Sequence, residues 1–349
     1  MRLPTRCPLA ALAALATLVA ADAPAREAAV FSMADPVADA RPAVVTALAL
    51  SADGRRVVAG GDDHVLRVWD AATPSRPIAT LRAHTDWVRA TRFLPGDDRV
   101  ASVAADRALC LWRLDDSNPR PAPNVRRLAG GPLRAVALHP DGRRVATAGF
   151  SDSVRLYDLE DGTAEPIEHG CPCEDTRAVA FSPDGRWMAA AGRNGVVRLW
   201  DLVASGGARD LPTDGRRIRA LAFSPGGETL AAGGDGPAVR LWAIESPTVQ
   251  AGDPGAAPTE LIVRPGKVHA LAFVDDRTLA VGGTRDDIVL WDTLDASPRR
   301  TLTGHTGAVA AFAVSADGSV LASGSFDTTV RLWSLGRAAA AADAGTTTR

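Results

Sequence analysis

The same unit is written seven times in this 349-residue chain, and nothing else in the sequence constrains the fold as tightly. One copy reads "VVTALALSADGRRVVAGGDDHVLRVWD" from Val44, another "TRAVAFSPDGRWMAAAGRNGVVRLWDL" from Thr176, and the last "VAAFAVSADGSVLASGSFDTTVRLWSL" from Val309. The copies close on Trp69, Trp112, Tyr157, Trp200, Trp242, Trp291 and Trp333, at intervals of 43, 45, 43, 42, 49 and 42 residues. Each copy is three short apolar runs separated by turns. The pairs Asp53-Gly54, Asp141-Gly142, Asp184-Gly185, Gly226-Gly227 and Asp317-Gly318 supply the positive φ that a tight two-strand turn requires. Runs such as "AVAF" and "VRLW" are apolar on both faces, which suits a sheet packed between two others. One unit cannot bury both faces alone, so the units have to close into a ring.

A repeat of about 40–45 residues ending in Trp-Asp marks a four-stranded propeller blade. On these seven copies the chain resembles the WD40-repeat β-propeller family, in a bacterial-type, exported form, over residues 26–336. The resemblance implies an all-β fold: a seven-bladed propeller of four-stranded antiparallel blades, the ring closed by an N-terminal strand. The seventh copy has no fourth strand after Leu335, so the closing strand is expected near Glu27–Met33. Residues 337–349, small and polar, are expected to form a disordered tail. The family's stabilising tetrad joins a loop His, a second-strand Ser or Thr, a turn Asp and the third-strand Trp. Two copies carry it whole: His84, Ser102, Asp106 and Trp112, and His305, Ser323, Asp327 and Trp333. Elsewhere it is partial, as in blade one with Ala59 and blade four with Ala190 and Asn194. His, Ser and Asp together imitate a hydrolase triad. Their spacing repeats with the blade and places them between sheets, so the expected role is structural.

Residues 1–25 have the layout of a secretory signal peptide. Arg2 and Arg6 precede an uncharged apolar run of 12 residues, Leu9–Ala20, and small residues at Ala21, Ala23 and Ala25 offer cleavage sites. The run is short for a membrane span, which needs roughly 20 residues. The expectation is export, to the periplasm or as a secreted protein, with no membrane insertion after cleavage. An uncleaved N-terminal membrane anchor is the alternative. With cleavage, which removes Cys7, the other three of the four cysteines would enter an oxidising compartment.

A net charge of -2 argues against a nucleic-acid binder, whose phosphate contacts need clustered positive charge. The chain has no Gly-rich phosphate loop followed by Lys, no Cys-x-x-Cys-His and no His-Glu-x-x-His. No catalytic residue, cofactor or metal is therefore expected, and the leading reading is a scaffold that binds protein or peptide. The chain is expected to be a monomer in itself and part of a complex. Aligning the copies puts Trp87, Asp175, Arg217 and Lys267 just before inner strands. Two residues further on stand Thr46, Arg89, Arg134, Arg177, Arg219, His269 and Ala310. Four consecutive blades thus offer an arginine near one mouth of the channel, suited to an acidic peptide with Trp87 as aromatic anchor. The competing reading pairs these arginines with turn aspartates or stacks them between blades. The arginines two before the closing aromatic, Arg67, Arg155, Arg198, Arg240 and Arg331, read as snorkelling blade residues. Two other functions stay open: a hydrolase or lyase acting in the central channel, and a metal or thiol-redox protein using Cys171 and Cys173. Cys171-Pro-Cys173 falls in the loop before blade four beside His169 and Glu174, and a local disulfide is favoured over free thiols or a soft-metal site.

Overall fold

The computed structural model describes residues 26–34, 42–115, 121–128, 131–161, 165–204, 207–244, 258–263 and 266–336. The expected signal, residues 1–25, and the expected tail, 337–349, lie outside the described residues. The described residues form seven four-stranded antiparallel sheets. The innermost strands are Val45–Leu50, Val88–Phe93, Leu133–Leu138, Ala178–Phe181, Ile218–Phe223, Val268–Phe273 and Val309–Val314. Each packs against the next and the seventh packs against the first, so the ring is closed. In blades one to six the four strands follow one another outward in chain order. Blade seven takes its outer strand from the other end of the chain: Arg26–Ser32 pairs with Thr329–Ser334, with Phe31 opposite Val330. The amide of Met33 continues the ladder by donating to the Thr328 carbonyl at 3.0 Å.

The apolar runs account for where the core lies. It is divided into clusters between neighbouring blades, each holding one of the closing aromatics. Trp69 packs with Phe31, Met33 and Val330 between blades seven and one. Trp112 lies between blades one and two, and Tyr157 between two and three. Trp200, Trp242, Trp291 and Trp333 continue the series around the ring. The aromatic recurs once per unit because each interface between sheets needs one large side chain to fill it. The turn glycines do what their spacing implies: Gly54, Gly142, Gly185, Gly227 and Gly318 have φ between 69° and 80°.

The arginines of the third strands form ion pairs. Arg155, Arg198 and Arg240 face Glu168, Asp210 and Glu260 across the pairing to the outer strand, at 2.7, 2.7 and 3.0 Å. Blade one has Thr80 opposite Arg67, and that arginine turns to Asp63 at 2.6 Å. Arg331 reaches Glu27 of the closing strand at 2.6 Å.

If the ring depends on its closing strand, truncating that strand's core residue must weaken the whole molecule. Phe31 is fully buried, its ring centroid 5.7 Å from that of Trp69. Phe31→Ala is expected to lower stability by about 3–5 kcal/mol, measured by urea unfolding followed through tryptophan fluorescence. An unchanged midpoint would show that the strand does not carry closure.

Candidate functional site

The rim residues owe their direction to a backbone irregularity. In six inner strands the pairing register shifts between the first and third residues, as from Val88 to Ala90 and from Ile218 to Ala220. The skipped residues are Thr46, Arg89, Arg134, Arg219, His269 and Ala310. A bulge leaves one residue out of the ladder and re-aims its side chain, which here turns the column into the channel mouth. In blade four the strand begins at Ala178, so Arg177 stands just outside it, its amide donating to the Ala191 carbonyl at 2.9 Å. The chamber they line has a volume of about 160 Å³.

The mouth differs from a ring of unpaired arginines. Asp175, expected only as part of the partner surface, accepts from Arg177 at 2.7 and 3.0 Å and pairs with Arg134 at 3.3 Å. Asp235 accepts from Arg219 at 2.6 Å, with Arg217 at 4.0 Å. The pairing alternative therefore describes three of the four arginines. Arg89 has no carboxylate partner among the described residues. It lies over Trp87 at 4.7 Å, and burial lowers its pKa, with neighbouring Arg134 adding to the effect. Lys267 likewise has no carboxylate partner there. His269 is held neutral by burial and by Arg219, so the positive excess rests on Arg89, Lys267 and the shared pairs. Trp87 is 39% exposed.

Alignment of the inner strands did not reveal Phe150 and Phe326, which lie one residue beyond the second strands and are 50% and 45% exposed. Their amides donate to the carbonyls of Pro132 and Ala308, which fixes both rings on this rim. Arg134 covers Phe150 at 4.4 Å, and His269 stands 6.4 Å from Phe326. The signal was present as a break in the repeat, aromatic where other copies have Asp, Ala, Arg or Thr.

The cysteines also sit differently from a surface loop. Cys171 and Cys173 are buried in the core between blades three and four, with Val154 and Trp200. Their Sγ atoms are in bonding contact and their Cα atoms 5.1 Å apart. Glu174 and Asp175 follow with φ of 43° and 47°, left-handed for both. Gly192 permits this turn, since a Cβ there would meet the carbonyls of Cys173, Glu174 and Asp175. The compact turn is thus what delivers Asp175 between Arg134 and Arg177. His169 belongs to the outer strand of blade three and packs edge-on against Trp200 at 5.9 Å. Among the described residues no three His, Cys, Asp or Glu side chains are grouped to hold a metal ion.

Both tetrads are assembled. Trp112 Nε1–H donates to Ser102 Oγ at 2.8 Å, that oxygen lies 2.8 Å from His84 Nε2, and His84 Nδ1 lies 3.1 Å from Asp106. A carboxylate can only accept, so Nδ1 carries the proton and Nε2 accepts from the serine. His305, Ser323, Asp327 and Trp333 repeat the chain at 2.8 Å per link. Ser102, Ser323 and the two imidazoles are buried, leaving no room for a substrate. Cys110 lies 3.9 Å from His84 Nδ1 as a buried thiol, and burial pushes its pKa up to about 12, which makes it unreactive.

A sequence-family model described as "WD domain, G-beta repeat" matches residues 39–70, 75–113, 124–158, 168–201, 210–243 and 296–334, more than half of the chain. The unit closing on Trp291 falls outside these matches. It lacks the Asp-Gly turn and follows the longest interval. A protein transport protein sec13 from Aspergillus clavatus is 31% identical over 109 residues, 30% of this chain and 37% of that protein. Human cilia- and flagella-associated protein 52 is 26% identical over 120 residues, 34% of this chain and 19% of that protein. Human WD repeat and SOCS box-containing protein 1 is 36% identical over 73 residues, 21% and 17% of the two chains. The chain therefore spans little more than a third of the length of the relatives it matches, or less.

The tetrads carry a pH signature. Burial, outweighing the attraction of Asp106 and Asp327, lowers the pKa of His84 and His305 below the ordinary 6.5. The unfolded chain then binds more protons than the folded one at mildly acidic pH. The contribution is complete above about pH 6.5 and is lost as the pH falls below it. Unfolding free energy is expected to decline from pH 7 to 5, and the decline to flatten in a His84→Gln, His305→Gln variant. An equal slope in that variant would remove the tetrads from this role.

Proposed function

The chain belongs to the WD40 repeat family, and from that premise we propose that it is a binding platform whose partner lays an acidic segment across the rim of blades two to five. WD40 propellers act as protein-interaction scaffolds. What supports the finer reading is one arrangement: Arg89, without a carboxylate partner among the described residues, lies over the exposed ring of Trp87, and neighbouring Arg134 lies over the exposed ring of Phe150. Exposed aromatic and arginine side chains held rigidly together are what dominate interface energetics. Arg134, Arg177 and Arg219 take part by exchanging their internal aspartates for the partner's carboxylates, a trade that favours selectivity over affinity. The relatives are named for transport, for cilia and flagella, and for a SOCS box. Those names share no chemistry, which suits a common scaffold better than a common reaction. The carboxylates at the mouth, Asp175 and Asp235, are both engaged by arginines, which supports a binding role over acid–base work by a hydrolase or lyase.

Panning a random peptide library on the purified chain is expected to enrich Asp- and Glu-rich sequences carrying an apolar residue. Trp87→Ala with Arg89→Ala should weaken the enriched peptides about tenfold or more, roughly the loss of one hot-spot residue, and added salt should weaken them further. Enrichment without acidic bias, or affinity unchanged in the variant, would overturn the rim as the partner site.

We also place the working chain outside the cytosol, on the strength of residues 1–25, and Cys171–Cys173 as a disulfide in that compartment. The intact mass of chain recovered from an envelope fraction without reductant tests both. The expected species begins at Pro24 or Arg26 and weighs two hydrogens less than its reduced form. A full-length mass would refute cleavage, and an unchanged mass on reduction would refute the disulfide.

A further inference from the structure

Beneath the rim the channel holds a second chamber of about 560 Å³, within the range of small-molecule sites. Its wall is the last residue of each inner strand, including the four phenylalanines Phe93, Phe181, Phe223 and Phe273. One residue earlier the copies read Ala49, Arg92, Ala137, Ala180, Ala222, Ala272 and Ala313. Six alanines and one arginine occupy equivalent places. Arg92 borders both chambers and stands with Val179, Leu221, Leu271 and Phe312 where they meet.

Its guanidinium is only partly engaged. Nη1 donates to the Thr91 carbonyl at 3.0 Å and reaches the Leu48 carbonyl at 3.5 Å. Among the described residues Nε and Nη2 make no hydrogen bond, and no carboxylate pairs with the group. The side chain is exposed, yet it is enclosed by the ring of strands, and that desolvation lowers its pKa. The two observations agree once the exposure is to the channel space. Arginine stays charged there, and its Nε–Nη2 edge matches both oxygens of a carboxylate.

The other polar groups bordering the chamber are occupied. The Asp97 carboxylate accepts the Ala52 amide at 3.0 Å. The His139 ring lies 3.1 Å from the Gly185 carbonyl and contacts Arg144. One unsatisfied cation above an aromatic wall selects one negative charge on an apolar body. A polyanion would strand further charge against the phenylalanines.

We propose that this lower chamber binds a small amphiphilic carboxylate, its carboxylate on Arg92 and its apolar body against the phenylalanine ring. The site is separate from the rim, and either can stand without the other.

Titration calorimetry on the full chain, with octanoate and 4-phenylbutyrate against the neutral octanamide, tests it. Arg92→Ala installs the residue that the other six blades carry, so the fold is expected to survive with an unchanged melting temperature. Both acids should bind the wild type and lose about tenfold or more in Arg92→Ala, the loss expected of a charge-assisted pair. The amide should bind more weakly and be indifferent to the substitution. An Arg89→Ala, Arg219→Ala variant, altered only at the rim, should keep its affinity for octanoate. No binding of either acid at millimolar concentration, equal binding in Arg92→Ala, or loss in the rim variant would overturn the proposal.

Discussion

Every feature of this molecule depends on apolar contact between sheets that have no wet face. Each blade presents alanine, valine, leucine and one large aromatic to its neighbours, and the interfaces are filled by Trp69, Trp112, Tyr157, Trp200, Trp242, Trp291 and Trp333. A sheet of this composition left at the end of a row would expose a full apolar face, so the row must close. Closure in turn demands that the chain's first strand complete its last blade. That is why Phe31 and Met33, distant in sequence from Val330 and Leu332, share a core with them. The hydrogen-bonded tetrads are a secondary device. They occur whole in blades two and seven, where Ser102 and Ser323 are fully buried with both partners satisfied. Ala59 and Ala190, fully buried at the equivalent places, show that packing alone serves elsewhere.

Rigid closure gives the inner strands a fixed geometry, and the bulges use it. A strand edge facing a narrow channel has room for small side chains, which is why alanine recurs along all seven. At the mouth the skipped residue can instead hold a long side chain aimed over the opening. Arg89, Arg134 and Arg219 are thus placed by one backbone irregularity repeated with the blade, and Arg177 joins them from just outside the inner strand of blade four. Their charge is moderated by Asp175 and Asp235, themselves placed by loops that rest on glycine. Gly234, where a Cβ would strike the Arg217 carbonyl, does for blade five what Gly192 does for blade four. Positioning of the rim therefore depends on glycines that carry no charge of their own.

Fold and site were legible to different depths for a physical reason. Periodic apolar runs, turn glycines and the closing aromatics are properties of each unit, so seven copies reinforce one another and the architecture could be read directly. The column of rim residues was legible for the same reason, as an aligned position. Pairing of its arginines with aspartates was legible as a possibility, but the particular partners were not, because Asp175 and Asp235 reach their arginines through loop conformations that no repeat specifies. The burial of Cys171 and Cys173 was hidden likewise: a Cys-Pro-Cys insertion beside His169 and Glu174 reads as a loop, without saying whether the loop is covered. Phe150, Phe326 and Arg92 were visible only as departures from the repeat.

Departures of this kind carry the individuality of a repeat protein. Where packing dictates a residue the copies converge on it, as six of the seven do on alanine beside the channel. An arginine in that column has no role in closing the ring, since six blades manage without it. It also loses hydration on entering the channel, against only two carbonyl contacts of its own. The phenylalanines below have the converse history: they could be any apolar residue for packing, and Leu50, Leu138 and Val314 serve in three blades. A charge that packing does not need, set above a wide aromatic wall, is chemistry directed at the channel's contents rather than at its walls.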